Sequence, residues 1–471
     1  MPYKDLQDFI STLQNKKEIK VIEKSVDPIL EVAEITTRIC KRHGPALLFK
    51  NLQGHNFPIL TNSFGSINRM ALALEISNFD QLSERIAIFL EQDKQQTVNN
   101  TKSAPVIVQR AQCHDITLYG DKVDLSIIPA LKCWPRDAGP AITLPVVFTK
   151  DPLTGNRNAG MYRMQIYGKN LTGMHWQPNT GGAKHYKIAG RLGQSLEVAV
   201  AIGPDPAMTY AATAPLPDDI DEVLFAGFLR NAPVELVKCK TVDLEVPASS
   251  QIVLEGYVKP GERQTEGPFG NHTGYYSPAE EYPVFHITCM TMRKDAVYHA
   301  TVVGPPPQED CFLAKASERL FLALLKKEIP EIVDINLPIE GIFNNLAFIS
   351  IEKRYPGHAK EVIMTLWNLG SMMLRKIICI FDKEVNVQNL SEILWKLGNN
   401  IDPKRDIVFA YGPVDPLNPA SSHQGYGSKM GIDCTRKSKA EGLERAWPET
   451  MKMSQKVKKR IDQLWSRLGM D

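Results

Sequence analysis

Three polar residues near one strand-like stretch have types that together suit a metal ion. Asn158 precedes the stretch, His175 follows it in TGMHWQ, and Glu222 lies on a helical segment with an acidic start. One amide oxygen, one imidazole and one carboxylate suit a hard or borderline divalent cation such as manganese or magnesium, and suit zinc poorly. A single histidine is as readily a satisfied surface or core residue, so spacing alone leaves that reading open. A second set joins Arg163 to Glu266 and to the GPFGNHTGY turn that follows Glu266. A glutamate beside Gly-Pro and Gly-Asn sits in a loop, where functional residues concentrate. An arginine facing it would hold its carboxylate ionised, or would grip a substrate carboxylate through two parallel hydrogen bonds. A structural salt bridge at a strand end fits the same residues. Glycines 181–182 and glycines 425, 427 and 431 would let backbone N–H groups approach an anion, and serve equally well as turns. Lys429 is a candidate phosphate or cofactor contact, with an exposed lysine as the plainer alternative.

These residues need elements to position them. Leu6, Phe9, Ile10 and Leu13 recur at helical spacing, as do Ile29, Val32, Ile35 and Ile39. Short apolar strands are predicted at 46–50 and 58–62, then a helix at 79–94. From about residue 115 the texture changes to strands: ITLPVVFT, GMYRMQIYG, SLEVAVAIG, QIVLEGYV and PVFHITCMTM, separated by Gly, Pro and Asn turns. In GMYRMQIYG a period of two places Arg163 opposite the apolar set of Tyr162, Met164 and Ile166. One helix, DDIDEVLFAGFLRN, interrupts the block. A strand-rich block with a single inserted helix reads as a barrel or sandwich. After Pro305-Pro306-Pro307 an amphipathic helix is predicted over 309–328. Strands near 346–352, 375–381 and 406–411 then alternate with helices near 358–369 and 389–398, a small α/β domain. Residues 438–468 read as a charged helical tail, either a solvated face or an oligomer clasp.

The 471 residues suggest two or three domains, and 43% hydrophobic with 23% charged residues is the balance of an ordinary globular protein. A formal net charge of +2 argues against nucleic acid or an anionic membrane surface as partner. The eight cysteines contain no C-x-x-C and no Cys/His cluster, which points to a reduced, cytoplasmic interior. The first twenty residues mix charges with apolar positions, unlike a signal peptide, and no apolar run is long enough to span a membrane.

Taken together, NAGMYRMQIYGKN, TGMHWQ, LPDDIDE around Glu222, VDLEVPASSQIVLEGYVKPGE, EGPFGNHTGYY and GSKMGID resemble the UbiD family in both order and wording, over essentially the whole chain. The resemblance implies an α/β (α+β) fold: an N-terminal α/β domain (1–112), a split β-barrel binding flavin (113–307), a linker helix (308–330) and a C-terminal α/β domain with a helical tail (331–471). It implies reversible decarboxylation of an aromatic acid, of 4-hydroxybenzoate type, or of another unsaturated acid. The cofactor would be prenylated FMN, supplied by a separate flavin prenyltransferase and bound through Mn²⁺ and K⁺. Matched by motif, the metal ligands fall on Asn158, His175 and Glu222. The cofactor contacts fall on Met161, Tyr162, Arg163, Trp176, Gln177, Thr180, Gly181 and Lys429, and the catalytic network on Arg163, Glu266 and position 271. The family is homo-oligomeric, as a dimer or hexamer, and a polyprenylated substrate would add peripheral contact with the inner membrane. The chain departs from the family pattern at position 271, where Asn271 replaces the usual acid. An amide has no proton to give at ordinary pH, which puts turnover in doubt and leaves His272 or water as alternative donors. A cofactor-binding member without activity and a plain-FMN reductase are the alternatives.

Overall fold

The computed structural model describes residues 2–94, 102–178, 180–218 and 220–470. Its first helix, Leu6–Asn15, begins where the Asp5 carboxylate accepts from the Asp8 amide at 2.9 Å. It buries Leu6, Phe9, Ile10 and Leu13, as the spacing predicts. The second helix, Glu31–Cys40, buries Val32, Ala33, Thr36, Thr37 and Cys40 instead of the predicted Ile29, Ile35 and Ile39 stripe. Ile29 falls outside this helix. The N-terminal sheet orders Ile19–Ile22, Ala46–Phe49, Ile59–Thr61 and then Tyr298–His299. Its fourth strand therefore comes from beyond the barrel, so the two segments share a sheet.

The central body is a nine-stranded antiparallel sheet. Its path runs Ala141–Ile142, Met164–Gly168, Leu171–Gly173, Glu280–Met292, Ile252–Glu266, Leu196–Ile202, Pro145–Lys150 and Arg157–Met161, with Ile116–Tyr119 paired to Glu280–Met292. GMYRMQIYG is not one strand, contrary to the predicted alternation. Arg157–Met161 pairs with Pro145–Lys150, whereas Met164–Gly168 pairs with Ala141–Ile142 and Leu171–Gly173. The two halves belong to opposite ends of the sheet, so Tyr162 and Arg163 form a corner between ladders. The inserted helix spans only Glu222–Leu229, with the Asp221 carboxylate accepting from the Val223 amide at 2.8 Å. Asp219 lies outside the described residues.

The helix Glu309–Glu328 leads from the barrel to the C-terminal domain. Its Glu309 carboxylate accepts from the Phe64 amide at 2.7 Å, tying it to the N-terminal domain. Beyond it lies a five-stranded sheet ordered Ile332–Asn336, Leu346–Ile351, Ile377–Asp382, Tyr426–Asp433, Ile407–Pro413. The glycine stretch GSKMGID, which the sequence leaves as a turn or anion loop, is the strand next to this edge. A Cβ on Gly431 would lie 2.5 Å from Ile363 Cγ2, so its glycine serves close helix–sheet packing. The tail is less helical than its composition suggests. One helix, Gln455–Leu464, is flanked by single short turns and buries no side chain.

Candidate active site

The corner between Arg157–Met161 and Met164–Gly168 sets the site. Without ladder partners, Tyr162 and Arg163 turn into a cavity of about 310 Å³. Tyr162 can fold back because Gly160 has no side chain: a Cβ there would lie 2.3 Å from the Tyr162 hydroxyl. That hydroxyl accepts from the Gly182 amide at 3.3 Å. Met161, His175, Gln177, Thr180, Phe269, Asn271 and His272 share the same cavity.

Arg163 and Glu266 do face each other. The guanidinium Nε donates to Glu266 Oε1 at 2.9 Å, and the guanidinium lies 4.3 Å from the centre of the Phe269 ring. His175 Nδ1 lies 2.8 Å from the same oxygen. Burial pushes the Glu266 carboxyl up, but His175 and Arg163 outweigh it and hold it below the usual carboxylate range. Burial, with Arg163 adding to it, pushes the His175 imidazole down. Glu266 Oε2 is buried without a partner. The sequence leaves open a structural salt bridge at a strand end. This pair is instead a buried anion and cation at the wall of a cavity.

The helix Gly181–Arg191 points its first turn at the same place. Its N-cap, Thr180, makes no side-chain capping bond, and the two glycines bring backbone close to neighbouring side chains. A Cβ on Gly181 would lie 1.8 Å from Asn158 Oδ1, and one on Gly182 would lie 2.4 Å from Trp176 Nε1. Asn158 Nδ2 and Trp176 Nε1 are both buried without hydrogen-bond partners. A helix N-terminus without a cap from Thr180, and with orphaned donors beside it, suits a phosphate. Glu222 lies across the strand from it, accepting from the Ala159 amide at 3.0 Å, and burial raises its carboxyl to about 7. Among the described residues no three His, Cys, Asp or Glu side chains gather as a metal site. The amide–imidazole–carboxylate set needs only two of those types. The Asn158 amide oxygen, the His175 imidazole and the buried Glu222 carboxylate are donor types that suit a divalent cation, whereas the orphaned Asn158 Nδ2 can only donate and suits the phosphate.

Lys429 stands apart from this set. It is buried within the C-terminal domain, donating to the Met373 carbonyl, with its ammonium 5.7 Å from the centre of the Trp367 ring. Burial lowers its pKa. Tyr282, whose ring centre is 4.2 Å from that of His175, and Leu417, reaching in from the C-terminal domain, carry no signal in the sequence. Phe269 lies within the GPFG turn and was legible there only as part of a loop. A larger cleft of about 1500 Å³ opens from the cavity between the barrel and the C-terminal domain, with Arg163, His175, Gln177, Asn271 and Leu417 lining both.

The three domain models of 3-octaprenyl-4-hydroxybenzoate carboxy-lyase match residues 10–95 (N-terminal), 106–306 (Rift-related) and 311–434 (C-terminal). The chain belongs to the UbiD family. UbiD members are carboxy-lyases. An uncharacterised Aquifex aeolicus protein is 47% identical over 100% of this chain and 99% of its own length. Among solved structures, the UbiD-class enzyme HmfF from Pelotomaculum thermopropionicum in complex with FMN is 30% identical, with a TM-score of 0.82 over 94% of this chain and 97% of that one. Vanillic acid decarboxylase from Sedimentibacter hydroxybenzoicus in closed form is 26% identical, with a TM-score of 0.89 over 99% of both chains. Among the described residues, no helix of this UbiD chain is long and apolar enough to cross a membrane.

Proposed function

We propose that this UbiD chain is a reversible, non-oxidative decarboxylase of an aromatic acid of 4-hydroxybenzoate type, using prenylated FMN in a cytoplasmic homo-oligomer. The observation that carries the reading is the Arg163–Glu266–His175 cluster at a cavity that Thr180, at the start of the helix Gly181–Arg191, also lines. Gly181 and Gly182 would hold a flavin phosphate, and Asn158, His175 and Glu222 would hold Mn²⁺, with K⁺ as a companion ion. Met161, Tyr162, Trp176, Gln177 and Thr180 would hold the ring system and ribityl chain, and Lys429 would reach them only if the C-terminal domain moves. When bound, the modified flavin supplies an electron sink for the carbon that loses its carboxylate.

The protein's own residues supply the rest. Arg163 binds and orients the carboxylate, using a charge that Glu266 holds in place. Breaking the carbon–carboxylate bond releases carbon dioxide, and a proton replaces it on that carbon. Leu417, Phe269 and Tyr282 limit the water around this step. The exposed Met451, Met453, Trp465 and Leu468 of the tail suit burial against a second copy. The test is mass spectrometry of flavin released from protein co-produced with a flavin prenyltransferase, paired with a screen of aromatic acids for carbon dioxide release. The reading expects a prenylated mass and release from at least one phenolic acid. Unmodified FMN that a nicotinamide reduces would replace it with a flavin reductase. Prenylated flavin without release from any acid would leave a cofactor-binding member.

A further inference from the structure

Asn271 occupies the position where the family pattern carries an acid, and the structure fixes which way its amide points. Its Oδ1 accepts from the His272 backbone amide at 2.9 Å and lies 2.8 Å from His272 Nδ1. A backbone N–H can only donate, so the atom facing it must be the oxygen and the amide cannot be flipped. The imidazole follows suit. Its Nδ1 carries the hydrogen toward Asn271, while Nε2 lies 3.5 Å from the Asn344 amide nitrogen, which also donates to Asp415 Oδ2 at 2.8 Å. The His272 ring is further pinned by stacking on Phe343, with ring centres 5.3 Å apart. The surrounding turn is fixed as well, because the Asn271 amide donates to the Tyr275 carbonyl at 3.0 Å and the Gly274 amide donates to the Asn271 carbonyl at 2.9 Å.

With Oδ1 committed, Asn271 Nδ2 is left over. It is buried with no partner, on a residue only 5% exposed, and the residue lines both the cavity and the cleft beside Arg163. An unpaired buried amide is costly unless a ligand satisfies it. Its hydrogens can be satisfied only by an acceptor. The charged donor beside it, Arg163, also has only hydrogens to offer.

We propose that Asn271 Nδ2 and Arg163 form a two-donor cradle for the substrate's carboxylate, so that residue 271 in this chain selects ionised acids and does not deliver the proton. The inference rests on the decarboxylase reading and deepens it. A carboxylate has acceptor oxygens enough for both donors, and a negative charge that matches Arg163. An aspartate at 271 would keep the bonds to His272 but turn a bare oxygen toward the carboxylate, replacing attraction with repulsion.

The experiment measures the affinity of flavin-loaded protein for 4-hydroxybenzoate and for its neutral analogue 4-hydroxybenzamide, by calorimetry. Native protein, Asn271→Ala, Asn271→Asp and Arg163→Ala are compared, with flavin content and melting temperature as controls. Loss of one charge-assisted hydrogen bond should weaken 4-hydroxybenzoate binding roughly 10-fold or more in Asn271→Ala. In the near-isosteric Asn271→Asp the loss at pH 7 should be larger, whereas 4-hydroxybenzamide affinity should change by less than about 3-fold in both. A merely structural role would weaken both ligands alike, and that result overturns the proposal. So does Asn271→Asp binding the acid as tightly as native protein. If Arg163→Ala loses the acid and the 271 variants do not, the decarboxylase reading stands and the cradle falls. Failure of native protein to bind the acid at all overturns both.

Discussion

Glu266 does two jobs with one oxygen. Its Oε1 takes the Arg163 Nε hydrogen and lies against His175, while Oε2 stays buried and unpaired. Removing its charge while keeping its shape should therefore release Arg163 without collapsing the pocket. We expect Glu266→Gln to lower kcat/KM for decarboxylation roughly 10²-fold, the scale seen when one preorganised electrostatic partner is lost. Flavin content should be unchanged. A variant with native kcat/KM would mean that Arg163 is positioned by something else. The residue identities were legible in the sequence because EGPFGNHTGYY and NAGMYRMQIYGKN are long and specific strings. Their geometry was not. The predicted period of two put Arg163 on the far face of one strand, yet Tyr162 and Arg163 sit between two ladders. Alternation says which residues share a face, and nothing about a strand that changes partners midway.

At the scale of elements, the helix Gly181–Arg191 is the clearest case of local sequence serving a site. Alanine is the better helix former by about 1 kcal/mol, so two glycines in the first turn weaken the helix unless the space is needed. Asn158 Oδ1 and Trp176 Nε1 occupy that space. Gly181→Ala should leave the melting temperature near native and lower flavin and manganese retention together, because its Cβ displaces Asn158. Glu222→Gln should produce the same joint loss from the opposite side, since the phosphate charge would lose its counter-ion. Flavin absorbance and metal analysis of the purified variants check both, and full flavin occupancy in manganese-free Glu222→Gln protein would contradict the coupling. The sequence offered these glycines only as a turn or an anion contact. It offered Gly427 and Gly431 in the same terms, and there the structure builds a strand. Glycine marks a close approach without saying whether the neighbour is a ligand or an isoleucine.

At the scale of the whole molecule, the strand blocks and the linking helix were legible because their apolar periods are strong. The way the parts interlock was not. Tyr298–His299 completes the N-terminal sheet, and Leu417, Phe343 and Asn344 of the C-terminal domain close on a barrel loop. Such contacts join residues far apart in the chain and leave no periodic trace. They also place the cavity at the junction of two domains, with Leu417 closing a wall that the barrel otherwise supplies. The central claim is that this shared cavity breaks and remakes a carbon–carboxylate bond with the help of prenylated FMN. The most direct measurement is exchange of ¹³C-labelled carbon dioxide into the carboxyl group of 4-hydroxybenzoate or a related phenolic acid. Exchange needs only that bond, so it does not depend on which group carries the proton at position 271. Protein loaded by co-production with a flavin prenyltransferase should incorporate label into at least one acid, and protein reconstituted with unmodified FMN should not. No incorporation into any acid by fully loaded protein, or equal incorporation with plain FMN, would contradict the account.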